Sequence, residues 1–74
     1  MKQFILGRIR VSDTVAMELH PTPFGVCCIF FRGGLRVASL SCEPRGLNTF
    51  CLESNPDVYE RFTGSFLEAV ERIG

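Results

Sequence analysis

Apolar and polar residues alternate along most of this chain, and a helical period replaces the alternation only near its end. From Lys2 to Val11, Ile5, Ile9 and Val11 fall on one face with Gly7 between them, while Arg8 and Arg10 share the other with Phe4 and Leu6. That two-residue period predicts a strand. Ser12-Asp13 supplies turn chemistry, and Val15, Met17 and Leu19 then alternate with Ala16, Glu18 and His20, as in a returning antiparallel strand. A short helix capped by Ser12 competes for the same stretch, because Ala16, Met17, Glu18 and Leu19 are good helix formers. His20-Pro21-Thr22-Pro23-Phe24-Gly25 reads as a loop, since each proline lacks a backbone donor and holds its predecessor extended.

Val26 to Phe31 is the most hydrophobic run, and Gly33-Gly34 can take the positive φ angles of a two-residue primed turn. Val26–Arg32 and Leu35–Cys42 are therefore expected to form a hairpin. A regular register pairs Arg32 with Leu35, Phe31 with Arg36, Phe30 with Val37, Ile29 with Ala38, Cys28 with Ser39 and Cys27 with Leu40. In that register one face holds Val26, Cys28, Phe30 and Val37 with two serines, and the other holds Cys27, Ile29, Phe31, Ala38, Leu40 and Cys42. Both faces are then apolar. Glu43-Pro44-Arg45-Gly46 ends the hairpin, and Leu47–Leu52 is a further strand.

From Ser54 the period changes. Ser54 or Asn55 can cap a helix, Pro56 suits its first position, and Val58, Phe62, Phe66, Val70 and Ile73 make one apolar stripe. Gly64 lies on the polar side, and Asp57–Arg61 and Glu68–Arg72 have the spacing of outward ion pairs. The pattern predicts an α+β domain spanning residues 1–74. Residues 1–53 form an antiparallel sheet of four to five short strands, and 54–74 supply one C-terminal helix, Pro56–Ile73, packed on one face. One helix covers one face. The other has to be covered by a second copy, by a different protein, or by the sheet curling on itself.

Composition narrows the function classes. The chain has 74 residues, of which 46 % are hydrophobic and 22 % charged, which excludes a disordered tail and predicts a compact core. The net charge is zero, so bulk electrostatics favour neither nucleic acid nor an anionic membrane. The charge is nonetheless segregated. Residues 1–50 carry Lys2, Arg8, Arg10, Arg32, Arg36 and Arg45 against Asp13, Glu18 and Glu43, and residues 51–74 carry Arg61 and Arg72 against Glu53, Asp57, Glu60, Glu68 and Glu71. The apolar runs are too short to span a bilayer or to form a signal-peptide core, so a cytoplasmic protein is expected.

In that compartment Cys27, Cys28, Cys42 and Cys51 are expected to be reduced and to pack as small hydrophobes. Cys27 and Cys28 are adjacent, would face opposite ways in a strand, and cannot readily share a bond or a zinc ion. No metal or cofactor is expected. His20 is the only histidine, with no identifiable orienting carboxylate although Glu18 would lie on its side of an extended strand, and the closest case for a reactive thiol is Cys51, four residues before the cap region. No Gly-rich phosphate loop follows a strand. The chain is accordingly expected to be non-enzymatic, a protein–protein interaction module acting as a homodimer or as a small inhibitor or adaptor on a larger protein. Phe30, Phe31, Arg32 and Arg36 near the hairpin tip are the candidate contact, a Phe–Arg combination that interfaces favour. The alternative is a small nucleic-acid-binding module using Lys2, Arg8, Arg10 and Arg45 beside aromatic rings. In size and style the chain is similar to the small single-domain inhibitors encoded by phages and mobile elements, a likeness that covers no motif.

Overall fold

A computed structural model describes residues 5–43 and 48–73, with Phe66 by its backbone alone. Among the described residues six strands form one antiparallel meander in chain order: β1 Gly7–Arg10, β2 Val15–Thr22, β3 Gly25–Arg32, β4 Leu35–Cys42, β5 Asn48–Leu52 and β6 Glu60–Arg61. A helix, α1 Phe66–Ile73, follows them. The α+β class, the antiparallel sheet and the C-terminal helix agree with expectation, but there are six strands rather than four to five. Among the described residues no helix is long and apolar enough to cross a membrane.

The connections are tighter than the sequence suggests. Ser12 does not cap a helix: its Oγ accepts from the Val15 amide at 3.0 Å and the Thr14 amide at 3.3 Å, closing the turn between β1 and β2. The expected loop from His20 to Gly25 is corrected to two residues, because β2 continues through Pro21 to Thr22 and pairs Thr22 with Gly25. Pro21 is tolerated there because β1 pairs only as far as Leu19, which leaves one side of β2 unpaired at the proline. Gly25 is required by proximity, since a Cβ at that position would lie 2.1 Å from the Cys42 carbonyl oxygen.

The β3–β4 hairpin turns on Gly33 and Gly34, with φ of 58° and 82°, the left-handed values of a primed turn. Arg32 pairs with Leu35 and Phe31 with Arg36, as the regular register requires, but Phe30 then pairs with Ala38. Val37 is the extra residue of a β-bulge. Because side chains alternate with period two, this one-residue slip moves everything beyond it to the opposite face. Ala38, Leu40 and Cys42 join Phe30, Cys28 and Val26, while Ser39 and Ser41 pass to the side of Ile29 and Cys27. The expectation of two apolar faces is therefore corrected: one face is the core, and the other mixes apolar with polar groups.

The core lies between the first face and the C-terminal segment. Val15, Met17, Cys28, Phe30, Ala38, Leu40, Phe50, Phe62 and Ala69 form it, with Phe30 and Phe50 the largest fully buried side chains. The helix predicted from Pro56 begins instead at Phe66. Ser65 Oγ accepts from the Glu68 amide at 3.3 Å, and Ser65 and Glu68 have the spacing of a capping box. Upstream, β6 pairs with β5, and the Phe62 amide donates to the Asn48 carbonyl at 2.8 Å. Satisfying the outer edge of β5 outweighs the helical pattern, and a helix continuous through Gly64 would lose ~1 kcal/mol there. Val58 is left 47 % exposed rather than packed. Phe62 reaches the core from beside the strand, its ring 5.6 Å from that of Phe50. The expected pairs Asp57–Arg61 and Glu68–Arg72 give way to an Arg72–Glu60 bridge, and Arg72 also stands 5.4 Å over the Phe50 ring.

Candidate functional site

With α1 and Phe62 on the core side, the opposite face of the sheet is left without a covering helix. The strand register sets its rows. Arg10, Ala16, Phe31 and Arg36 form one row; Arg8, Glu18, Ile29, Ser39 and Cys51 form the next; His20, Cys27, Ser41 and Thr49 form the third. Ala16, Glu18, Cys27, Ile29, Phe31, Ser39 and Ser41 are all partly buried by their neighbours alone. Cys51 is the exception, being buried, with its thiol donating to the carbonyls of Pro56 at 3.6 Å and Leu52 at 3.7 Å.

The four residues expected near the hairpin tip divide between the two faces. Phe30 is fully buried in the core and has no surface to offer a partner, which corrects its assignment as a contact. Arg32 is on the same side, and its guanidinium lies 3.5 Å from the Ile73 carbonyl at the C-terminal end of α1, where a cation complements the helix dipole. Phe31 and Arg36 face the uncovered side together. Arg36 is exposed and its Nε donates to Glu53 Oε1 at 2.7 Å.

Of the residues proposed for nucleic acid, Lys2 and Arg45 lie outside the described residues. Arg8 is bound to Glu18 through two donors, at 2.7 and 3.0 Å from Oε2. Arg10 is exposed and makes no ion pair among the described residues. Between the Ser12–Thr14 turn and the Gly33-Gly34 turn the face sinks into an open cavity of about 430 Å³, with Ala16 and Phe31 in its lining and Arg8, Arg10 and Asp13 around it.

Glu18, in the lining of this cavity, links its own row to the third. Its second oxygen lies 3.1 Å from His20 Nε2. The His20 hydrogen bond above all, with Arg8 adding to it against partial burial, holds the Glu18 carboxyl below its ordinary value of 4.5. An ionised carboxylate only accepts, so Nε2 carries the proton in this contact. Directly across the strand from His20 stands Cys27. This Glu18–His20–Cys27 sequence of side chains is invisible while residues 20–25 are taken as a loop; the signal that finds it is a two-residue Pro23-Phe24 connection, which fixes the register.

All four cysteines are free thiols, and no group of three or more His, Cys, Asp or Glu able to hold a metal ion occurs among the described residues. Comparison of the chain with family models, with curated proteins and with solved structures finds no match.

Proposed function

We propose that this protein is a non-enzymatic interaction module, an inhibitor or adaptor that docks the uncovered face of its sheet on a larger protein with an acidic surface. The observation that carries this reading is Phe31, which stands on a face without a covering helix beside a cavity of about 430 Å³, with Arg10 on the same row and unpaired among the described residues. An aromatic ring flanked by arginine is an interface anchor, and an apolar side chain of the partner entering the cavity would bring a neighbouring carboxylate to Arg10.

Charge favours a foreign partner over a second copy. In a twofold contact the same patch supplies both sides, so Arg10, which no carboxylate pairs among the described residues, would meet a face carrying the same unpaired cation. The nucleic-acid alternative has less support, because Glu18 and Glu53 already neutralise Arg8 and Arg36.

The test compares proteins captured from a native lysate by the reduced chain and by two variants, Phe31→Glu on the uncovered face and Leu67→Glu on the helix, where Leu67 is 69 % exposed. A specific partner should be lost with Phe31→Glu and kept with Leu67→Glu. Should Phe31→Glu not fold, the double variant Arg10→Glu/Arg36→Glu replaces it, since both side chains are exposed. Equal capture by all variants sinks the reading. Salt-sensitive binding of short RNA or DNA, lost with Arg10→Glu, would replace it with the alternative.

A further inference from the structure

We propose that Cys27 is the selectively reactive thiol of this protein, a site of mixed-disulfide formation with small disulfides in which His20, positioned by Glu18, takes the thiol proton. The inference does not depend on the identity of any docking partner.

Three observations place Cys27 apart. His20 and Cys27 are register partners in β2 and β3 and project from the same face, where directly opposed Cβ atoms are about 4.5–5.5 Å apart. Glu18 Oε1 lies 3.1 Å from His20 Nε2, a contact that in the neutral ring leaves Nδ1 as the nitrogen able to accept a proton. From the other flank Ser41 Oγ donates to Cys27 Sγ at 3.9 Å, a long contact that shortens readily as negative charge develops on sulfur. Carboxylate and histidine are hydrogen-bonded, and the thiol stands across the strand from the histidine, without a hydrogen bond to it, on an uncovered face.

The other thiols lack this setting. Cys28, one residue on, points into the core, and burial above all, with Cys42 and Cys27 beside it, pushes its thiol up to about 11. Cys51 is buried and its thiol is occupied by two backbone carbonyls. Cys42 is only partly buried, but it lies on the core side beside Cys28 and has no histidine across from it. A thiolate is the attacking species, so a base that takes the proton as attack begins gives Cys27 its advantage.

The exchange balances without a further reagent. Cys27 sulfur attacks one sulfur of a small disulfide, its proton passes to His20, and the reagent's S–S bond breaks as the Cys27–S–S–R bond forms. The departing thiolate takes the proton back from His20. Cys27 is oxidised to the mixed disulfide and half of the reagent is reduced to a thiol.

The test treats the fully reduced, folded chain with the chromogenic disulfide of thionitrobenzoate and maps the modified residue by peptide mass. One thiol of four should react in a fast phase, and it should be Cys27. Cys27→Ser should abolish that phase, and His20→Ala should slow it by roughly tenfold or more. Glu18→Gln should displace its pH profile, which a structural role alone would not do. The groups around Cys27 that also bear on that profile are Glu18 and His20 from β2, Arg8 behind them on β1, and Arg61, which pairs with Thr49 at the end of the row. In urea all four thiols should react alike and the His20 effect should vanish. A fast phase mapping to another cysteine, or a rate unchanged in folded His20→Ala, overturns the proposal. If His20→Ala does not fold, the map on the unmodified chain decides.

Discussion

Replacing Phe30 and Phe31 one at a time by alanine tests which way the hairpin faces. Phe30 is fully buried between Met17 and Ala38 in the sheet and below the C-terminal segment. Phe→Ala at such a site removes the transfer free energy of the ring and leaves a cavity, together about 3–5 kcal/mol. A chain of 74 residues has a total stability of about 4–11 kcal/mol at ~0.05–0.15 kcal/mol per residue. Phe30→Ala should therefore leave the domain marginal or unfolded at 25 °C. Phe31 lies only partly buried on the uncovered face, where its loss opens no enclosed cavity and costs roughly 1 kcal/mol. Urea unfolding followed by circular dichroism reads both. With a slope of ~1 kcal/mol/M for so small a domain, the midpoints should fall by about 3 M or more for Phe30→Ala and about 1 M for Phe31→Ala. Equal losses, or the larger loss at Phe31, would refute the assignment of faces.

Three further outcomes follow from the same structure. Ser65→Ala removes the cap of α1 and should cost about 1 kcal/mol in the same urea assay, whereas Ser54→Ala, at the N-terminus predicted from sequence, should cost much less. Gly25→Ala places a Cβ against the Cys42 carbonyl and should destabilise the domain more than alanine at Gly7, where the nearest side-chain atom is 3.6 Å away. Because the Glu18 pKa is lowered in the folded state, its contribution to stability is complete above its ordinary 4.5 and is lost as pH falls through the folded value. The stability difference between the parent chain and Glu18→Gln should accordingly shrink as pH falls below 4.5; a difference that grows over that range contradicts the Arg8–Glu18–His20 contacts.

The order of strands before helix, the primed Gly33-Gly34 turn and the alternation of β2 and β5 are legible in the sequence, because each rests on a local rule. What was not legible depends on pairing between distant segments. The bulge at Val37 has no signature within β4, yet it decides which face Leu40 and Ala38 occupy. The Val58–Phe62–Phe66 stripe fits a helix by period, but the free edge of β5 draws residues 60–61 into the sheet. The helix starts behind Ser65-x-x-Glu68 and not at Ser54-Asn55-Pro56, although the latter carries more of the local start signals. Phe31 and Arg36 emerge together on the uncovered face, while Phe30 and Arg32, their neighbours in sequence, turn to the core and the helix. The His20–Cys27 pair arises only because Pro21 is accommodated near the end of β2 and Pro23 in the turn that follows, against the usual reading of a proline-rich stretch.

The uncovered face as a docking surface is tested most directly by placing a photo-crosslinker, p-benzoylphenylalanine, at position 31 and, in a second protein, at position 67, and irradiating each in cells. Crosslinking from position 31 to one acidic protein, absent from position 67, is the result expected. An adduct from position 67 alone, or one from position 31 with twice the 8.3 kDa mass of the chain, would contradict it.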